Sequence, residues 1–278
     1  MTTLLTAPSN TNFSQMQASL ATVRTPVMPS VGIILTAPLE TPSSSNSGRP
    51  TLGQIFPLGN LFGQTQMGQI NGTFYDTPGT YTLTVPATVS AAIIRGWGPG
   101  GGGGGSTNSG YGGGGGSGGS YGEQTYALNP GSTLTITVGT GGTGGTGAAN
   151  GTNGSGPSTV AGMASGAFSI PAGLGGVASN VGVNGAGGAA PAAPTLTSSA
   201  NGHSVTGGAG QGGYSISTFG VGGAGGNAGQ SSGGAATVGA SGAKGVGPGA
   251  GGSGGGNQGT SVNGANGQNG AVIIEWVQ

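Results

Sequence analysis

The chain offers little to chemistry, and what it offers is dispersed. His203 is the single histidine and stands beside Asn201-Gly202, with no second histidine, cysteine or carboxylate cluster near it in sequence. A metal centre or an acid–base pair needs several such groups converging, so neither is expected. The carboxylates Asp76, Glu123 and Glu275 lie far apart in the chain, whereas glycosidase chemistry needs two of them flanking one bond. The run Gly98-Pro99-Gly100 through Gly105 has the composition of a phosphate-binding loop but lacks the following lysine and the helix that would aim N–H groups at a phosphate. No catalytic residue, metal or cofactor is therefore expected. What remains for recognition is apolar and aromatic: Phe168, Ile170, Leu196, His203, Tyr214 and Phe219 are the expected contact residues, with Tyr111 and Tyr121 as further aromatic candidates. Aromatics on rigid loops cover area at low entropic cost.

The elements that must position these residues are unusual. Glycine supplies 72 of 278 residues, and between Gln124 and Gly270 the sole formal charge is Lys244. Neither an ordinary core nor an ordinary charged surface can be built from such material. Glycine recurs every third residue, as in Gly141, Gly144, Gly147 and again Gly264, Gly267, Gly270. A period of three is neither that of the α-helix nor that of the strand. It is that of the polyproline II helix, in which three residues make a turn, each rises about 3.1 Å, and every backbone N–H and C=O points outward. Those groups need partners, so several such rods are expected to pack side by side. The Asn-Gly pairs at Asn150, Asn153, Asn184, Asn201, Asn263, Asn266 and Asn269 suit either turns of positive φ or rod positions facing solvent.

Around this region lie strand patterns. Tyr81, Leu83 and Val85 alternate with threonines, residues 88–97 continue as a second strand, and residues 122–128 and 132–138 are expected to pair as a hairpin across Asn129-Pro130-Gly131. Residues 271–277 form a closing strand. The expected architecture is all-β with irregular structure: a small antiparallel β frame, residues 72–139 and 271–277, with a polyglycine II insertion at about 139–270. Segments 155–171 and 189–206 are expected as loops between rods. Residues 1–70, rich in Thr, Ser, Pro and Asn, read as an extended N-terminal attachment arm, and residues 71–278 as the glycine-rich domain. In the arm, Phe56, Leu61 and Phe62 are expected either to anchor onto a partner, as virion docking residues, or to cover the open end of the following domain.

Four basic and four acidic residues leave no net charge, so a nucleic-acid partner is not expected. The N-terminus lacks a basic region followed by an apolar run, and no apolar stretch approaches about 18 residues, so membrane insertion is not expected either.

The strings Gly79-Thr80-Tyr81-Thr82-Leu83-Thr84-Val85-Pro86, Ile93-Ile94-Arg95-Gly96-Trp97-Gly98-Pro99 with its polyglycine run, Leu134-Thr135-Ile136-Thr137-Val138-Gly139 and Gly270-Ala271-Val272-Ile273-Ile274-Glu275-Trp276 resemble the glycine-rich domain of bacteriophage tail-fibre and receptor-binding proteins. The resemblance covers residues 72–278 and extends to the tip adhesins of T-even-like phages. It implies a virion protein of the tail fibre or tail tip, assembled in the host cytoplasm. Such a protein docks on other tail proteins through its N-terminal region, shows variable loops to a bacterial outer-surface protein or glycan, and forms a possible homo-oligomer. A purely structural virion or filament component is the other reading. A surface-binding array at Thr140, Thr143 and Thr146 is a third.

Overall fold

The computed structural model describes residues 72–107, 110–196 and 202–277. The N-terminal segment expected to serve as an attachment arm, with Phe56, Leu61 and Phe62, lies outside these residues. Among the described residues there is no helix, and three antiparallel sheets account for the strands.

Two sheets form the frame. The first contains β1 (Gly72–Tyr75), β3 (Ala91–Trp97), β4 (Tyr121–Ala127), β8 (Gly202–Val205) and β12 (Ala271–Val277), in the order β1-β12-β3-β4-β8. The second contains β2 (Gly79–Thr84), β5 (Thr133–Val138), β6 (Ser158–Ala161) and β7 (Phe168–Ile170), in the order β2-β5-β6-β7. Alternation makes each sheet two-faced, and the apolar faces close on one another. Ala92, Ile94, Tyr126, Val272 and Ile274 from the first meet Leu134, Ile136, Val138, Val160, Phe168 and Ile170 from the second. Gly96 and Gly122 lie among these inner positions because rings and methyls from the other sheet occupy the space their side chains would take.

Two expectations are corrected here. Residues 122–128 and 132–138 do not pair with each other: β4 bonds β3 and β8, while β5 bonds β2 and β6. The turn with Gly131 at φ 76° carries the chain from one sheet to the other. A hairpin would have put Tyr126, Leu134 and Ile136 on one uncovered face, and the sandwich buries all three. The frame is also larger than residues 72–139 and 271–277. Segments 155–171 and 189–206 are not simply loops, because they contribute β6, β7 and β8 to it.

From one end of the frame the chain leaves and returns repeatedly as extended rods. Residues 98–106 make the pattern plain. Their N–H groups at Gly98, Gly101 and Gly104 donate to Ser120, Ser117 and Gly114; those at Gly100, Gly103 and Ser106 donate to Gln268, Ala265 and Val262; those at Gly102 and Gly105 donate to Thr152 and Ala149. Each direction recurs at every third residue and meets a partner descending by three, which is the bonding of antiparallel polyglycine II rods. The carbonyls of the same rod accept in turn from residues 142–145, 173–179 and 252–255, so six neighbours surround it.

Rods 112–120 and 249–256 are likewise enclosed, and all three rods contact one another. Every residue of 98–106, 112–120 and 249–257 is buried. This explains where glycine is continuous and where it is merely periodic. A rod enclosed on all sides has no direction free for a Cβ, so the near-unbroken runs Gly100–Gly105 and Gly112–Gly116 are the interior. A peripheral rod faces its neighbours with only part of its surface, so threonine, alanine and asparagine take the remaining positions.

The asparagines have a third use beyond the two expected. Asn263, Asn266 and Asn269 accept the N–H groups of Gly147, Gly144 and Gly141 through Oδ1, and Asn150 and Asn153 accept those of Ala178 and Gly175. Spaced by three, these side chains supply carbonyls to an adjacent rod where no backbone carbonyl reaches it. None of them has a positive φ.

Candidate recognition surface

Rods of about nine residues at 3.1 Å per residue carry their far turns roughly 25 Å from the frame. That distal end holds the third sheet, formed by β9 (Tyr214–Ile216), β10 (Phe219–Gly222) and β11 (Thr237–Val238) in the order β11-β10-β9. The register sets Ile216 opposite Phe219, and Tyr214 opposite Val221, which in turn opposes Val238. Directly opposed residues share a face. Tyr214, Ile216, Phe219 and Val238 are therefore presented together, 38 to 55% exposed, around a buried Val221. Val181 and Val183 stand at a neighbouring turn, closed by hydrogen bonds between Asn180 and Val183. Six of the eleven large apolar side chains exposed among the described residues thus gather at this end. No formal charge lies within these segments.

The expected contact residues divide. Tyr214 and Phe219 are at the tip. Phe168 and Ile170 are not recognition residues: at 1% and 0% exposure they belong to the frame core. The signal that places them was present in sequence, since Phe168-Ser169-Ile170 alternates as a strand does. Leu196 is half-buried and packs against that core. His203 is exposed, but on edge strand β8 of the frame, with its ring 6.0 Å from that of Tyr121. Tyr121 is buried. The tip residues that sequence reasoning missed are Ile216, Val238, Val181 and Val183. Only Ile216 carried a signal, alternating with Tyr214.

The outer face of the five-stranded sheet gathers the charges. Arg95 Nε donates to Glu123 Oε2 at 2.9 Å and Nη1 to Glu275 Oε1 at 2.6 Å, while Tyr121 OH donates to Glu123 Oε2 at 2.7 Å. Burial opposes ionisation of Glu123, but the hydrogen bonds from Tyr121 and Arg95 and the charge of Arg95 overrule it and hold the carboxyl below its ordinary value. Burial, together with the bond to Glu123, pushes the Tyr121 phenol well above its usual range.

Both shifts have consequences for stability. A carboxyl lowered in the folded state contributes fully above its unfolded value, roughly pH 4.3, and loses that contribution as pH falls through the folded value. A raised phenol contributes below roughly pH 10 and loses that contribution as pH rises through its folded value. Thermal unfolding followed against pH is expected to show a plateau between these limits, with Glu123→Gln flattening the acid side. An unchanged acid limb in that variant would contradict the assignment.

No group of three His, Cys, Asp or Glu able to hold a metal occurs among the described residues. No helix there is long and apolar enough to cross a membrane.

A β sandwich from which enclosed polyglycine II rods project defines the class of structure. The chain belongs to the glycine-rich domain family, whose model matches residues 76–277. A search of curated proteins found no match.

Proposed function

We propose that this chain is a receptor-binding adhesin of a phage tail fibre or tail tip. Its distal face of Tyr214, Ile216, Phe219 and Val238 meets the bacterial surface, and residues 1–70 join it to the virion. The observation that carries the reading is the gathering of exposed apolar side chains at the turns far from the frame, in a domain whose scaffold is held by backbone hydrogen bonds. Exposed apolar patches mark interaction sites. A scaffold that does not depend on tip side chains allows them to vary without rebuilding a core, which suits host recognition. The receptor is an outer-surface protein or glycan, and the docking partner is another tail or fibre protein contacted through Phe56, Leu61 and Phe62.

The test uses the purified chain on susceptible and resistant cells. Saturable binding confined to susceptible cells is expected, falling at least tenfold in Tyr214→Ser/Phe219→Ser while the melting temperature stays within 2 °C or so, since these side chains stand clear of the core. Equal binding to both cell types, or an unaffected double variant, would count against the adhesin. Absence of binding accompanied by concentration-dependent assembly would point to the structural virion or filament component.

A further inference from the structure

In a chain of 72 glycines, the one non-glycine residue among those described with positive φ is Ser217, at 55°. Glycine adopts that conformation freely, whereas in an L-residue it brings the side chain against its own backbone. Thirteen glycines take positive φ elsewhere in the same domain. At this position the side chain has been kept at the expense of backbone ease, which points to use of the side chain.

Ser217 and Thr218 form the two-residue turn between β9 and β10, and with Tyr111, Gly110 and Ser215 they line a cleft of about 250 Å³. The Ser215 hydroxyl donates to the Gly110 carbonyl, which ties the hairpin to the 110–111 turn and fixes the two walls. The hydroxyls of Ser217 and Thr218 and the phenol of Tyr111 have no protein partner among the described residues. Apart from that phenol, no ionisable side chain lines the cleft, so no opposite charge is present to favour a phosphate, a carboxylate or an ammonium group over a neutral ligand. Pockets for drug-sized ligands begin near roughly 300 Å³, so this one suits a single ring.

We propose that this cleft is a subsite for one neutral pyranose ring of a surface glycan, a proposal that rests on the adhesin reading and names a ligand class for its tip. A pyranose has an apolar C–H face for the Tyr111 ring and hydroxyls that both donate and accept. Serine, threonine and tyrosine hydroxyls answer in both senses.

The experiment follows saturation transfer from the full chain to glucose, galactose, mannose and N-acetylglucosamine, with titration of any sugar that responds. At least one is expected to bind with Kd on the order of 1 mM, the strength of a single small ring. Tyr111→Ala and Ser217→Gly are each expected to weaken it at least tenfold. Ser217→Gly separates the functional role from a structural one, because it relieves the backbone and leaves the melting temperature equal or higher while binding is lost. If Tyr111→Ala fails to fold, Ser217→Gly and Thr218→Val carry the test. No transfer from any of the four sugars, or transfer undiminished in the variants, overturns the proposal. Cell binding measured in parallel keeps the two readings apart. Retained adsorption without sugar binding removes the subsite alone, and sugar binding without adsorption removes the adhesin alone.

Discussion

Gly103→Ala is expected to destabilise the glycine-rich domain by at least about 3 kcal/mol, the upper end of overpacking effects, whereas Gly212→Ala stays within about 0.5 kcal/mol of the parent. A Cβ at Gly103 would lie 2.0 Å from the carbonyl oxygen of Ser253, in another enclosed rod. In an ordinary core a neighbouring side chain rotates to relieve such contact. Here the obstacle is backbone, held because Ser253 N–H donates to Ala243 and its carbonyl accepts from Ala265. Gly103 is held in the same way, donating to Ala265 and accepting from Gly145. Moving either rod breaks hydrogen bonds in several directions at once. Gly212 belongs to a peripheral rod, where the nearest atom to an added Cβ is 3.5 Å away and no positive φ is required. Alanine there even restricts the unfolded chain, a small stabilising effect. Thermal unfolding compares the two directly. About 3 kcal/mol corresponds to a fall of roughly 6–12 °C in a domain of this size, and equal melting temperatures would contradict the enclosed-rod account.

The second large effect is expected at Phe168→Ala, with a loss of about 3–5 kcal/mol. The ring is 1% exposed, stands edge-on to Tyr126 with centroids 6.1 Å apart, and fills the space above Gly96, where a Cβ would come within 2.7 Å of it. Its removal leaves a cavity between two sheets whose backbone pairing limits collapse. A contact residue would behave in the opposite way, with unchanged stability and weakened adsorption. Denaturant unfolding of the variant, paired with cell binding at a temperature where it remains folded, separates the two. Unchanged stability with weakened binding would restore Phe168 to the receptor surface.

Phe168 also shows what was hard to read. Its alternation with Ser169 and Ile170 is a strand signal, but three residues beside Gly166 and Pro171 look the same as a loop when the sheet they join is unknown. Strands β2, β3, β5 and β12 were legible because six or seven residues of alternation leave only one face to bury. Their pairing was not, as the mistaken hairpin between residues 122–128 and 132–138 shows. A short turn permits a hairpin but also permits a crossing between sheets, and the choice rests on what covers the apolar face. The tip was half legible. Tyr214 and Phe219 stood out as aromatics in a glycine background, but Val181, Val183 and Val238 became part of one surface only when separate rods brought their turns to the same end.

Local sequence dictated the kind of backbone. A glycine every third residue directs N–H and C=O groups outward in three directions, and that follows from local geometry without reference to any neighbour. It also determined the scarcity of charge and the presence of a β frame tied at residues 271–277. Which rods are enclosed, which asparagines bridge them and which aromatics are buried emerges only from the packing of the whole chain. These depend on the pairing of segments far apart in the chain, such as Arg95 with Glu275, 180 residues later, and Gly72 opposite that same Glu275. Periodicity prescribes the directions in which a rod must bond, but the partner in each direction is set by how the whole chain returns to its frame.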